Sequence, residues 1–333
     1  MLEYIQVYLR KTFERKMILS IILLIAGFVF LIKGADVFVD GASSTAENFK
    51  ISKILIGLTI VAFGTSAPEF AVSMSALASG STDMVLGNVM GSCILNILLI
   101  LGVAALIRPI KIKDNTVKKE LPLCMLISTL LAVLFLDISL GNGEVNQITR
   151  SDAIVILLFF LVFLYYLVTL AKRKRDKNDK TKPKYKLGKS LLLVGVGLVG
   201  IIVGSELVVN SASDIASAIG MSERVISLTV IAFGTSLPEL VTTIVAARKN
   251  EQDLVVGNII GSNIFNICVV LGIPVAIFGT ITPASFQMLD VVMLVVSAAL
   301  LFIFSVSTKR INRIEGAMML ALFATYYTII LIA

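Results

Sequence analysis

Residues 57–70 read GLTIVAFGTSAPEF and residues 227–240 read SLTVIAFGTSLPEL, so each stretch sets a glutamate and a proline inside an otherwise apolar run. A proline in a helix removes an i to i−4 hydrogen bond and clashes with the preceding turn. Pro68 therefore frees carbonyls near Gly64 and Thr65, and Pro238 does the same beside Gly234. Such carbonyls are costly in hydrocarbon unless they line a cavity or bind a cation. Glu69 lies four residues from Thr65 and three from Ser66, spacings that bring all three to one helix face. Thr235, Ser236 and Glu239 repeat the pattern. A second element, GNVMGSCILNILLILG at 87–102 and GNIIGSNIFNICVVLG at 257–272, adds Ser92 with Asn96 and Ser262 with Asn266, again four apart. Two carboxylates among neutral oxygens suit a hard cation such as Ca2+ or Na+.

The surroundings of those carboxylates come from the composition. The chain has 333 residues, 57% of them hydrophobic and 15% charged, against roughly 25% charged in a soluble domain. Apolar runs of membrane-crossing length recur from end to end, so the whole chain reads as an all-α integral membrane bundle. A charge at the bilayer centre costs about 3 kcal/mol on insertion scales, which makes two retained glutamates functional by default. No Lys or Arg stands close to the motifs to pair with them. Neutral glutamates merely hydrogen-bonded between helices would not explain why Thr-Ser-x-Pro-Glu is duplicated as a unit.

Histidine is absent, which removes the usual general base and the commonest transition-metal ligand. With no Cys or Ser beside a base, the chain does not read as an enzyme. Cys93, Cys124 and Cys268 lie in apolar stretches without metal spacing and read as packing residues. The net charge of +7 reflects basic loops beside apolar spans rather than a nucleic-acid partner.

Ten helices are expected, over roughly 17–33, 52–79, 83–107, 119–137, 151–171, 188–205, 222–247, 253–277, 287–306 and 313–332, with the second and seventh broken at the motif. The two halves are related by a constant offset of 170, and nine of the sixteen positions in the second element are identical. This divides the chain into an N-terminal segment 1–16 (a short interfacial helix), a first five-helix repeat 17–171, a basic linker 172–187 and a second repeat 188–333. Five helices per half is odd, so the repeats are inverted, an arrangement that places a substrate site near the bilayer midplane between broken helices. With both termini outside, 22 Lys and Arg fall in inside loops, the linker among them, in keeping with the positive-inside rule. Arg10, Lys11, Arg15 and Lys16 conflict with that orientation.

Several polar residues receive plainer readings. Asp36 and Glu206 read as solvated or capping, Gly87-Asn88 and Gly257-Asn258 as packing devices, and Asp137, Glu144 and Asp152 as a solvated outside patch.

The motif pairs GTSAPE with GNVMGSCILN and GTSLPE with GNIIGSNIFN resemble the two alpha repeats of the cation/calcium antiporter superfamily, close to its prokaryotic sodium/calcium exchangers. The resemblance covers essentially the whole chain. It implies Ca2+ held by Glu69 and Glu239 with backbone oxygens of Thr65 and Thr235. Flanking Na+ sites would use Glu69, Ser66, Ser92 and the Ala62 carbonyl on one side and Glu239, Ser236, Ser262 and the Ala232 carbonyl on the other, with Asn96 and Asn266 between. The ions are cargo, so no cofactor is expected; the partners are Ca2+, Na+ and the bilayer, and a monomer suffices. Asn266 is neutral where potassium-dependent relatives carry an acid, and the Gly-Asn element is neutral where proton-coupled relatives carry one. Both favour Na+/Ca2+ exchange independent of K+, over H+/Ca2+ or K+-dependent exchange or a passive channel. Cys93 stands where the second repeat has Asn263, so the halves are not fully equivalent.

Overall fold

The computed structural model describes residues 2–141, 143–172, 182–221, 232–283 and 288–332, with side chains from Met17 onward apart from Ala232 and Leu331. Linker residues 173–181 and the start of the seventh expected span, 222–231, lie outside the described residues.

The chain is nearly all helix. A long α1 (Leu2–Phe49) is followed by α2 (Lys53–Ile56), which passes through a π turn (Gly57–Val61) into α3 (Ala62–Thr65); beyond Ser66 comes α4 (Ala67–Ala78). Helix α5 (Thr82–Leu95) runs through a second π turn (Asn96–Leu101) into α6 (Gly102–Ile107). The first half closes with α7 (Asp114–Lys118), α8 (Glu120–Phe135), α9 (Asp137–Leu140) and α10 (Arg150–Lys172). The second half follows the same order: α11 (Leu187–Ala218), α12 (Ala232–Thr235), α13 (Leu237–Arg248), then α14 (Gln252–Phe265) with a π turn (Asn266–Leu271) into α15 (Gly272–Phe278), α16 (Met288–Thr308) and α17 (Arg313–Ile332).

Among the described residues six helices are long and apolar enough to cross a membrane, and the pair Lys53–Thr65 and Ala67–Ala78, bent by 44°, makes a seventh span. The first and sixth spans are longer than the apolar runs of 17–33 and 188–205. The first continues to Phe49, the sixth to Ala218, and residues 2–16 extend α1 rather than forming a separate helix. Asp36 and Asp40 look like an end in the sequence, yet both pair with Lys249, and Asp40 also with Lys184, so the helix carries them. Termination comes where the backbone turns left-handed, at Lys50 (φ 56°) and Gly220 (φ 88°), the usual closure of a helix C-terminus.

Helices α1 and α11 pack along a seam of small residues. Gly27, Gly34 and Gly41 recur every seven residues on one helix, Gly197 and Gly204 on the other. A Cβ on Gly197 would stand 2.5 Å from the Phe38 nitrogen, and one on Gly204 2.5 Å from the Leu31 nitrogen, so the backbones touch directly. This is how membrane helices associate when burial gives no driving force. The outer sides of the pair, Ile18, Ile22 and Ile25 on α1 and Leu192, Val196 and Val199 on α11, are exposed, as lipid contact requires.

The core lies elsewhere. In the span Gln252–Phe278 the most apolar window is 83% buried and in Thr82–Ile107 it is 72% buried, against 17% in Met17–Phe49. Helices α5 and α14 are therefore the central rods, with the broken helices beside them and α1 and α11 at the edge. Two-residue strands β1 (Ile110–Lys111) and β2 (Arg310–Ile311) pair antiparallel between loops, and a single bridge joins Ile148 to Ile281. Beside β2, Lys309 donates to Asp114 and holds that carboxyl below its ordinary pKa. Strands this short carry no periodicity in the sequence.

Candidate cation site

Ser66-x-x-Glu69 and Ser236-x-x-Glu239 have the spacing of a capping box, in which the serine caps its own helix. Both serines do occupy the N-cap, with nearly the same backbone (φ −86°, ψ 9° and φ −91°, ψ 7°), yet neither hydroxyl caps. Each crosses to the other half. Ser66 Oγ donates to Glu239 Oε1 at 2.8 Å, and Ser236 Oγ donates to Glu69 Oε1 at 3.2 Å. Pro68 and Pro238 sit in the first turn, where a missing N–H costs no helical bond. That turn also carries the glutamates, at the helix end whose dipole favours negative charge.

Glu69 and Glu239 are both fully buried. Each keeps one carboxylate oxygen, Oε2, without a hydrogen-bond partner among the described residues. The same holds for Thr235 Oγ1, Thr242 Oγ1, Ser262 Oγ, Asn96 Oδ1 and both amide atoms of Asn266. Buried polar atoms are nearly always paired, so this concentration of unpaired oxygen around two carboxylates fits a hard, oxygen-preferring cation. Among the described residues no group of three or more His, Cys, Asp or Glu gathers in the manner of a transition-metal site.

Ser236 Oγ also lies 3.3 Å from Ser92 Oγ, which links the break of one half to the second element of the other. The Ala62 carbonyl accepts from the Ser66 nitrogen at 3.0 Å and from Thr65 Oγ1 at 3.3 Å. Ala232 opens α12, just before Thr235. Asn96 and Asn266 each begin a π turn, a widened coil frequent at functional sites. The π turn at Asn96 packs on α13, which carries Glu239, and the one at Asn266 packs on α4, which carries Glu69.

Five residues whose sequence reading is packing, or that carry no reading, bond around the site. Asn88 Nδ2 donates to the Glu69 carbonyl at 3.0 Å and to Ser73 Oγ at 2.9 Å, clamping α4 just below its acid. Asn258 repeats this with Thr243 (3.0 Å) and also accepts from Thr65 Oγ1 at 3.3 Å. Ser73 and Thr243 are 170 apart, and a hydroxyl kept at both was the available signal. The neighbouring glycine does pack: a Cβ on Gly257 would lie 2.9 Å from Gly57 Cα. Ser205, on α11, donates at 3.0 Å to the Gly234 carbonyl, the acceptor four residues before Pro238.

Asp36 is ion-paired with Lys249 at 2.8 Å, while Glu206 is exposed. Asp137 and Asp152 accept loop backbone N–H bonds from Gln147 and Thr149. The three cysteines are buried and unbridged.

A multi-pass helical bundle, broken at two repeat-related points where two buried carboxylates meet, is the layout of an ion transporter. The sequence profile of the sodium/calcium exchanger protein family matches residues 19–169 and 189–332, and the chain belongs to that family. Among its relatives are the inner membrane protein YrbG of Escherichia coli (38% identical over 291 residues, covering 84% of this chain and 87% of that one) and the sodium/calcium exchanger MaX1 of Methanosarcina acetivorans (30% over 345 residues, 93% and 98%). A solved structure of the sodium-calcium exchanger NCX_Mj, soaked with 10 mM Na+ and no Ca2+, superposes with a TM-score of 0.82 at 33% identity, covering 95% of this chain and 99% of that one. The protein is thus a membrane transporter rather than an enzyme, and the metal ions of such exchangers are cargo rather than cofactors.

Proposed function

We propose that this chain exchanges Na+ for Ca2+ by alternating access, electrogenically and without K+. The observation that carries the reading is the pair of fully buried glutamates, each with one unpaired oxygen, ringed by unpaired hydroxyl and amide oxygens. Ca2+ sits between Glu69 and Glu239 with Thr65 and Thr235. Na+ occupies the flanks formed by Ser66, Ser92 and Ala62 and by Ser236, Ser262 and Ala232, with Asn96 and Asn266 between. The crossed Ser66–Glu239 and Ser236–Glu69 bonds couple the halves, so a cation on either acid competes with a hydroxyl from the opposite break.

The chain crosses the membrane ten times in two inverted repeats of five, termini outside and the 172–187 linker cytoplasmic. The close α1–α11 seam supports movement of those two helices as one body across the core. Two ionised glutamates carry −2, which one Ca2+ neutralises, whereas three Na+ leave a surplus charge; exchange at that ratio moves net charge. The neutral Asn266 supports independence from K+.

The experiment is ⁴⁵Ca2+ uptake into proteoliposomes loaded with Na+ and diluted into Na+-free medium. Uptake is expected only with the Na+ gradient, unchanged by K+ and enhanced by a membrane potential of the favourable sign. A requirement for K+, drive by a pH gradient, or uptake without any gradient would replace the reading with a K+-dependent exchanger, a proton-coupled exchanger or a channel. Full flux in Glu69→Gln or Glu239→Gln would remove the shared site.

A further inference from the structure

Among the positions at which the two halves differ, one is buried beside the site. Asn263 stands 170 residues after Cys93, and both are fully buried. Asn263 Nδ2 donates to the Cys93 carbonyl at 3.2 Å, and Asn96 Nδ2 donates to Asn263 Oδ1 at 3.1 Å. The order of these bonds is forced. A carbonyl only accepts, so Asn263 must turn its nitrogen toward Cys93, which leaves its oxygen toward Asn96. An amide oxygen also only accepts, so Asn96 turns its nitrogen to Asn263 and holds its own oxygen away. That oxygen is the atom left buried and unpaired where the π turn packs on the Glu239 helix.

The reciprocal relay is missing. Cys93 Sγ lies 3.7 Å from the Asn263 carbonyl, a weak thiol contact, and a thiol cannot both donate to that carbonyl and present an amide oxygen to Asn266. Both amide atoms of Asn266 are without a partner among the described residues.

We infer that Asn263 is a positioning residue that fixes the Asn96 oxygen as a preset cation ligand, and that Cys93 leaves Asn266 unfixed, so the two halves of the site bind cations unequally. This rests on the reading of Asn96 as a ligand in the exchange site. With its oxygen fixed, Asn96 binds a cation without first losing rotamer freedom, whereas Asn266 must be ordered by the ion itself.

The test measures apparent Ca2+ and Na+ affinities and maximal exchange rate in proteoliposomes. Asn96→Ala establishes which cation's affinity that oxygen serves. Asn263→Ala is expected to weaken the same affinity by about 2- to 12-fold, the worth of one ordinary hydrogen bond, with the maximal rate little changed. In the Asn96→Ala background it is expected to add nothing. An equal further loss in that background would overturn the relay while leaving the site reading intact. No effect of Asn96→Ala on either affinity would instead remove the site reading at this position. Should Asn263→Ala not fold, Cys93→Asn supplies the missing amide: it is expected to tighten cation binding by a similar factor, and not to do so when Asn266 is alanine. A gain that persists in Asn266→Ala would overturn the inference.

Discussion

Ser205→Ala removes one hydrogen bond between the outer helix α11 and the broken segment of the second half. Ser205 Oγ donates to the Gly234 carbonyl at 3.0 Å, with both groups buried. Pro238 has no N–H to offer that carbonyl, so without the serine it keeps no helical donor at i+4. Leaving a buried acceptor unpaired costs about 1–3 kcal/mol, which lowers the free energy of opening α11 from the break by that amount. The corresponding change in the opening equilibrium is about 5- to 150-fold. Hydrogen exchange in lipid nanodiscs reads it directly: amides of 232–240 are expected to exchange faster by that factor, while those of α16 keep their rate. Ser205→Cys preserves volume but offers only a weak S–H donor, and should fall between. Unchanged exchange over 232–240 in both variants would refute the idea that this bond ties the outer helix to the site.

Two further outcomes follow from packing and charge. Gly197→Ala places a Cβ 2.5 Å from the Phe38 nitrogen and should lower stability in detergent melts by about 1–3 kcal/mol, whereas Gly195→Ala, two residues along, meets nothing within 4 Å and should gain up to about 1 kcal/mol of helix propensity. Lys249→Gln removes the pairs with Asp36 (2.8 Å) and Asp40 (2.6 Å). Such partly exposed pairs are worth about 0–1 kcal/mol each, and the wild-type dependence of exchange rate on ionic strength should diminish in the variant.

The sequence makes the site legible because chemistry and duplication coincide there. A charged Thr-Ser-x-Pro-Glu unit repeated at a fixed offset in apolar surroundings has few physical explanations, and the structure brings both copies together. Helix ends are less legible: α1 runs well past its apolar stretch because Asp36 and Asp40 pair with Lys249 across elements, a pairing that hydropathy does not register. The direction of the serine hydroxyls was equally hidden. A capping-box spacing predicts a local bond, and only the approach of the opposite acid diverts Ser66 and Ser236 from it. The amides of Asn88 and Asn258 are hidden for a related reason, since Gly257 beside Asn258 does pack and each amide's bond depends on Ser73 or Thr243 from another helix.

On the proposed inverted-repeat reading, identical halves would make the two access states mirror images of equal energy, so any preference must come from residues at which the halves differ. Three such differences are contacts made in one half only. Ser205 bonds the Gly234 carbonyl, and its counterpart Ala35 has no hydroxyl. Asn263 holds Asn96, and its counterpart Cys93 makes only a weak thiol contact with the Asn263 carbonyl and holds no amide. Lys249 and Glu251 tie α1 and α2 to the turn before α14 through Asp36, Asp40 and Ser43 on α1 and Lys53 on α2, while the counterparts of that turn's Lys and Glu are Ser79 and Ser81. The duplicated acids can serve either state alike. The bias between states therefore resides in these unduplicated contacts, each a bond of about 1 kcal/mol, and changing them should shift which face is favoured without altering which ions are bound at Glu69 and Glu239.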